Sequence, residues 1–257
     1  MLQSLLADTG ITLPMLLLMM ALAFLTAVFH SVSGLAGALF LVILLTPMLG
    51  LKTAVPIVAV AVAISNVTRL WVFHKELNIP IFRAIMLTSL PAMFLGAVLF
   101  VYMSATVISV CFGLFLLLSI PGRRYFETRG YKAGPREFMM IGPVYGIVSG
   151  VTMGAGLLLA PFFLGAGLRR GEIGAMTAAI GIVLNITKTV VFGASPLLTG
   201  PLFLIGAILG ICTMPGAYAG RWILQRTSIR VHTFLVEGIM IAGALFFLYR
   251  AITGATN

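Results

Sequence analysis

Charge is what this sequence has least of. Charged residues make up 9% of its 257 positions and only 6 are acidic, whereas a water-soluble domain of this size needs charge over its whole outer surface. The shortage excludes a soluble globular fold. It also weakens the case for a membrane-embedded enzyme, which needs a set such as paired carboxylates or a histidine cluster; the acidic residues here fall mostly in tails and loops, and the three histidines are dispersed. Cysteine is scarce too. Cys111 and Cys212 lie inside apolar runs, with neither pairing nor metal-ligand spacing, and read as packing residues, so no disulfide framework, metal or other cofactor is called for. No ATP-binding motif is present, so any work done across a membrane has to draw on ion or electrical gradients.

What is there is hydrophobic: 61% of the residues, with a mean hydropathy of +1.16. Apolar stretches near the roughly 20 residues that cross a bilayer recur along the whole length, the pattern of an all-α polytopic membrane protein. The first run, Leu13 to Phe29, has only Asp8 as a charge before it and no small-residue cleavage site, so it reads as a retained helix rather than a signal peptide. A net charge of +10 would suggest nucleic acid in a soluble protein. Here the cations sit mainly in short loops, where they orient the chain in lipid, and no nucleic-acid partner is expected.

The sequence repeats itself. Phe29 to Gly34 (FHSVSG) answers Tyr145 to Gly150 (YGIVSG), and Gly50-Leu51-Lys52 answers Gly167-Leu168-Arg169. Likewise Asn66 to Phe73 (NVTRLWVF) answers Asn185 to Phe192 (NITKTVVF), and Pro91 to Gly96 (PAMFLG) answers Pro215 to Gly220 (PGAYAG). Four blocks in the same order, offset by 116 to 124 residues, mark a duplication. The expected division is a first repeat over 1–121, a linker over 122–136 and a second repeat over 137–257.

Each half holds five apolar segments, near 13–31, 34–48, 53–73, 80–100 and 104–121, then 138–150, 154–166, 172–193, 201–223 and 231–250. The second of each set is too short to cross a core of roughly 30 Å at 1.5 Å per residue, and it opens on glycine and serine. The spacing predicts about 8 to 10 membrane segments, with a broken or re-entrant pair in each half. Arg123, Arg124, Arg129, Lys132 and Arg136 crowd the linker and make it cytoplasmic by the positive-inside rule. Alternate loops agree, with only Lys52 and Arg250 on the opposite side. Matching segments then run in opposite directions, as two inverted-topology repeats with both termini outside.

Inside the third segment of each half, Asn66 with Arg69 and Asn185 with Lys188 are three residues apart and share a helix face. A cation at that depth is costly unless it meets water, an anion or a carboxylate, so the two pairs predict halves of one anion site. Both cations also fit helix-end anchors that reach for the headgroups. A helix that starts at an intramembrane break aims free amides and its positive end inward. That adds Ser33, Gly34, Gly37, Ser149, Gly150, Gly154 and Gly156 as candidate binding residues, although glycines there also serve close helix packing. His30 and Glu237 are candidates for proton coupling; Glu237 equally suits an ion pair with Arg69, Lys188 or Arg221, and His30 a packing role. Glu172 reads as a helix cap, and Trp71, Trp222 and Tyr249 as an aromatic belt.

These blocks, above all SGLAGALFLVILLTPMLGLKTAV and SGVTMGAGLLLAPFFLGAGLRRGEI, resemble the sulfite exporter TauE/SafE family over nearly the whole chain. The resemblance implies a secondary transporter, an exporter of a small anion such as sulfite, sulfoacetate or a related organosulfonate, in a bacterial inner membrane. Its partners would be the anionic substrate and membrane lipid. A passive anion channel stays open as the alternative, as does a homodimer.

Overall fold

Hydrocarbon offers no partner to a backbone N–H or C=O, so apolar segments of this length satisfy their own polar groups as helices. The computed structural model, which describes residues 2–33, 37–128, 132–224 and 229–254, is all-helical among them. Eleven α-helices follow in order: α1 (Leu2–Thr9), α2 (Leu13–Ser33), α3 (Gly37–Leu49), α4 (Leu51–Phe73), α5 (Ile79–Tyr102), α6 (Ala105–Thr128), α7 (Pro135–Val151), α8 (Ala160–Gly165), α9 (Arg170–Gly193), α10 (Gly200–Leu224) and α11 (Ile229–Thr253). Within the described residues, five stretches are long and apolar enough to cross a membrane: Leu13–His30, Leu51–Trp71, Ile79–Tyr102, Ala105–Gly122 and Gly171–Gly193. At 13 residues α3 reaches only about 20 Å. After Val151 the chain leaves helix, makes a 3-10 turn over Ala155–Leu158, and resumes in the six-residue α8.

Local chemistry sets the helix ends. Asn78 accepts from the Ile81 amide at 3.2 Å to open α5, and the Glu137 carboxylate accepts from the Gly134 amide at 2.7 Å to open α7. Glu172 accepts from the Arg169 amide at 2.8 Å at the start of α9, the capping role its position suggested. Gly50 and Gly167, matched by the repeat, both take a positive φ, of 75° and 70°, at the turns that lead into α4 and α9. An L side chain there would be strained, which accounts for the repeated glycine.

The helices pair in a reciprocal pattern. α2 packs on α10 and α7 on α5; α4 packs on α9; α6 packs on α11; α10 also lies against α4, and α5 against α9. Without a hydrophobic drive between helices in lipid, close backbone approach supplies the contact, and small residues permit it. Along α7, Gly142, Gly146 and Gly150 face Thr88, Ser89, Ala92 and Gly96 of α5. A Cβ on Gly150 would fall 2.6 Å from the Gly96 Cα. Gly216 of α10 meets the Phe24 carbonyl and Ala27 of α2 in the same way, and Gly206 and Gly210 meet α4.

Three features differ from the sequence-based expectation. A short helix, α1, precedes the first long one. α6 continues through Pro121 and the basic residues to Thr128, because helix geometry does not end where hydropathy drops. Glu237 lies on α11, whose chief neighbour is α6, and pairs with Arg124 at 2.7 Å, away from Arg69 and Lys188; the Arg221 side chain lies outside the described residues. Lys52, which the loop-charge rule leaves on the side opposite to most cations, has a local partner: its ammonium donates to the Val101 carbonyl at 3.1 Å, in the last turn of α5, where a helix end is negative. Trp71 and Tyr249 are 79% and 66% exposed, and the Trp222 side chain lies outside the described residues.

Replacing Gly150 by Ala should force α5 and α7 apart and destabilise the fold by about 1–3 kcal/mol, the usual cost of overpacking. Gly238, with nothing within 4 Å of its Cβ direction, is the control. Thermal unfolding in detergent should show Gly150→Ala melting several degrees lower and Gly238→Ala melting at or above the parent.

Candidate anion-binding cavity

The helix period of 3.6 puts Val62, Asn66 and Arg69 on one stripe of α4, and Thr177, Gly181, Leu184, Asn185 and Lys188 on one stripe of α9. α4 and α9 pack on each other with these stripes facing a common space. Tyr145, Ser149 and Thr152, a stripe of α7 and its C-cap, close one side; Met153, Gly154, Ala155 and Gly156 of the break close another, with His30 of α2 and Ala38 of α3 completing the wall. The cavity volume is about 70 Å³. At roughly 10–15 Å³ for each water-sized site, it accommodates a handful of waters or one small oxyanion.

Neither cation snorkels. Arg69 is 9% exposed and Lys188 2%, with Asn66 at 4% and Asn185 at 9%, all enclosed by protein. Arg69 Nη1 donates to Asn66 Oδ1 at 3.3 Å and Nη2 to Thr177 Oγ1 at 3.4 Å, and Nη1 also lies against His30 Nε2. Lys188 Nζ donates to the Thr152 carbonyl at 2.7 Å and lies 3.1 Å from Met153 Sδ. That carbonyl caps α7, so the ammonium rests at the negative end of a helix. An ammonium has three N–H groups and a guanidinium five, so both cations retain donors for the cavity. Asn185 Nδ2 donates to the Gly181 carbonyl at 2.7 Å. Gly181 itself gives room to the Asn66 amide from α4, which a Cβ there would strike. Among the described lining residues there is no carboxylate.

Of the residues singled out from the sequence, Asn66, Arg69, Asn185, Lys188, Ser149, Gly154, Gly156 and His30 line this cavity. Gly150 does not, because it serves the contact with Gly96. Gly37 does not either: its amide, expected to face an anion, donates instead to His30 Nδ1 at 3.0 Å. Glu237 sits elsewhere, with Arg124. Gly34 and the Ser33 side chain lie outside the described residues. Sequence reasoning missed Tyr145, Thr152, Met153 and Thr177. The stripe rule would have found Thr177, which lies eleven residues, three helix turns, before Lys188 on the same face. Gly154, at φ 82°, makes the sharp turn at the break, where a Cβ would stand 2.9 Å from Leu39 Cβ.

No curated protein and no solved structure matches the chain. A family model does: Sulfite exporter TauE/SafE matches residues 19–247, from within α2 to within α11, a span that contains every residue of the cavity wall. The polytopic helical fold and this match together make the chain a member of the sulfite exporter TauE/SafE family of membrane transporters.

Proposed function

We propose that the protein is a secondary transporter that exports a small anion, sulfite, sulfoacetate or a related organosulfonate, across a bacterial inner membrane. The observation that carries this reading is the pair of buried cations, Arg69 and Lys188, on facing stripes around one small cavity with no carboxylate among its described lining residues. Taking a cation out of water costs several kcal/mol unless an opposite charge or strong acceptors replace the solvent. Carbonyl and amide oxygens meet part of that cost here, and a bound anion meets the rest.

The transport cycle is alternating access between two inverted-topology repeats. Support comes from the reciprocal packing: α2 on α10 mirrors α7 on α5, while α4 with α9 and α6 with α11 join matched segments. The cavity lies between α4 and α9, so rocking one repeat against the other would open it to either side in turn. Both termini are periplasmic and the linker near Lys132 cytoplasmic, as the loop charges direct.

Two measurements test this. On a background without Cys111 and Cys212, single cysteines at Ser195 and Thr253 should react with an impermeant thiol reagent from the periplasmic side, and one at Lys132 should not. Labelling of Lys132→Cys from outside would overturn the topology. In reconstituted vesicles, Arg69→Gln and Lys188→Gln should each weaken sulfite or sulfoacetate binding by about 2 kcal/mol or more, roughly 30-fold, and reduce flux accordingly. Asn66→Ala and Asn185→Ala should cost less, and Arg69→Lys should restore only part, since an ammonium cannot clamp two oxygens in parallel. Normal flux by the folded Arg69→Gln, Lys188→Gln double variant would remove the cavity from the transport path.

A further inference from the structure

His30 holds a position that the charge argument does not explain. Its ring stands between two donors: the Gly37 amide, 3.0 Å from Nδ1, and the Arg69 guanidinium, against Nε2. A neutral imidazole has one lone pair and one N–H, so it accepts from only one of two such neighbours. Turning the ring over does not relieve the conflict, because carbons would then face both donors and both contacts would be lost.

The other partners open to each donor point to the nitrogen that accepts. Gly37 is the first residue of α3, and its amide is one of the helix's orphan donors, with no partner inside the helix. The ring sits so close to it that a Cβ on residue 37 would overlap the imidazole, so glycine at this position is what lets the contact form. Arg69, in contrast, has acceptors of its own in Asn66 Oδ1 and Thr177 Oγ1. Nδ1 therefore accepts from Gly37, and the proton sits on Nε2. The Nε2–H and a guanidinium N–H then crowd each other at the wall of the same cavity, and an acceptor inside it that draws both N–H groups towards itself resolves the opposition.

We infer that His30 is a direct anion-binding residue: its Nε2–H and the Arg69 guanidinium donate to one oxygen of a small oxyanion, while the Gly37 amide fixes the ring in that tautomer. The inference rests on the cavity being the anion site. It gives the first repeat a donor that the second lacks, because the residue matched to His30 is Gly146, which is used up in the contact with α5. The ligand class is an anion that presents an unprotonated oxygen: a sulfite, a sulfonate or a carboxylate.

The test reads the ring itself. Protein with 15N-labelled histidine, in detergent or nanodiscs, carries three histidines, and the His30 resonances are those lost in His30→Gln. The expected spectrum has the proton on Nε2 and an unprotonated Nδ1. Sulfite or sulfoacetate should shift the Nε2–H resonance, whereas sodium chloride at equal ionic strength should leave it nearly unmoved. By calorimetry, His30→Ala should bind sulfite about 10- to 100-fold more weakly, the weight of a hydrogen bond to a charged group, and His30→Gln, whose amide offers an N–H, should recover most of that loss. A proton on Nδ1, or a His30 spectrum unchanged at saturating sulfite while calorimetry records binding, would overturn the inference and leave the anion cavity standing. Failure of the unaltered protein to bind either anion would instead sink the cavity reading.

Discussion

Two basic side chains, Arg69 and Lys188, are held inside the helical bundle, and most of the architecture around them follows from that burial. Their enclosure is nearly complete, so water does not solvate them freely and the protein has to supply acceptors. It does so with neutral oxygens: a side-chain amide and a hydroxyl for Arg69, a helix-terminal carbonyl for Lys188. A carboxylate in either place would have neutralised the cavity. Neutral acceptors leave it electropositive, which is the property that an anion transporter requires of its site.

Keeping those acceptors in place depends on how closely the helices approach. Lys188 reaches the Thr152 carbonyl only because α7 ends where it does, and α7 is positioned by its glycine stripe against α5. Gly181 likewise admits the Asn66 amide between α4 and α9. The glycines thus act at one remove from the charges, by setting backbone separations that longer side chains would increase.

The two halves are matched in helix order and unmatched at the site. Arg69 occupies the place that Lys188 holds in the other half, and it has a hydroxyl and an imidazole for neighbours where Lys188 has a carbonyl and a thioether. A guanidinium in a planar fork suits two parallel bonds to an oxyanion, while an ammonium acts as a point charge.

Hydropathy alone located the long helices, because a bilayer core dictates their length and admits no other spanning structure for such runs. The order of the duplicated blocks marked Asn66, Arg69, Asn185 and Lys188 as a set, since a three-residue spacing on a helix means one face. The same reasoning did not find the end of α6 at Thr128, where hydropathy falls but the backbone stays helical, nor the pairing of Glu237 with Arg124, which depends on α11 lying against α6. Glycine was the most ambiguous letter. Gly150 and Gly156 look alike in the sequence, yet one spaces two helices and the other lines the cavity. Which of those roles a glycine takes, and which acceptor a buried cation meets, is set by the neighbour that the folded chain brings within about 3 Å, and that neighbour is far away along the sequence.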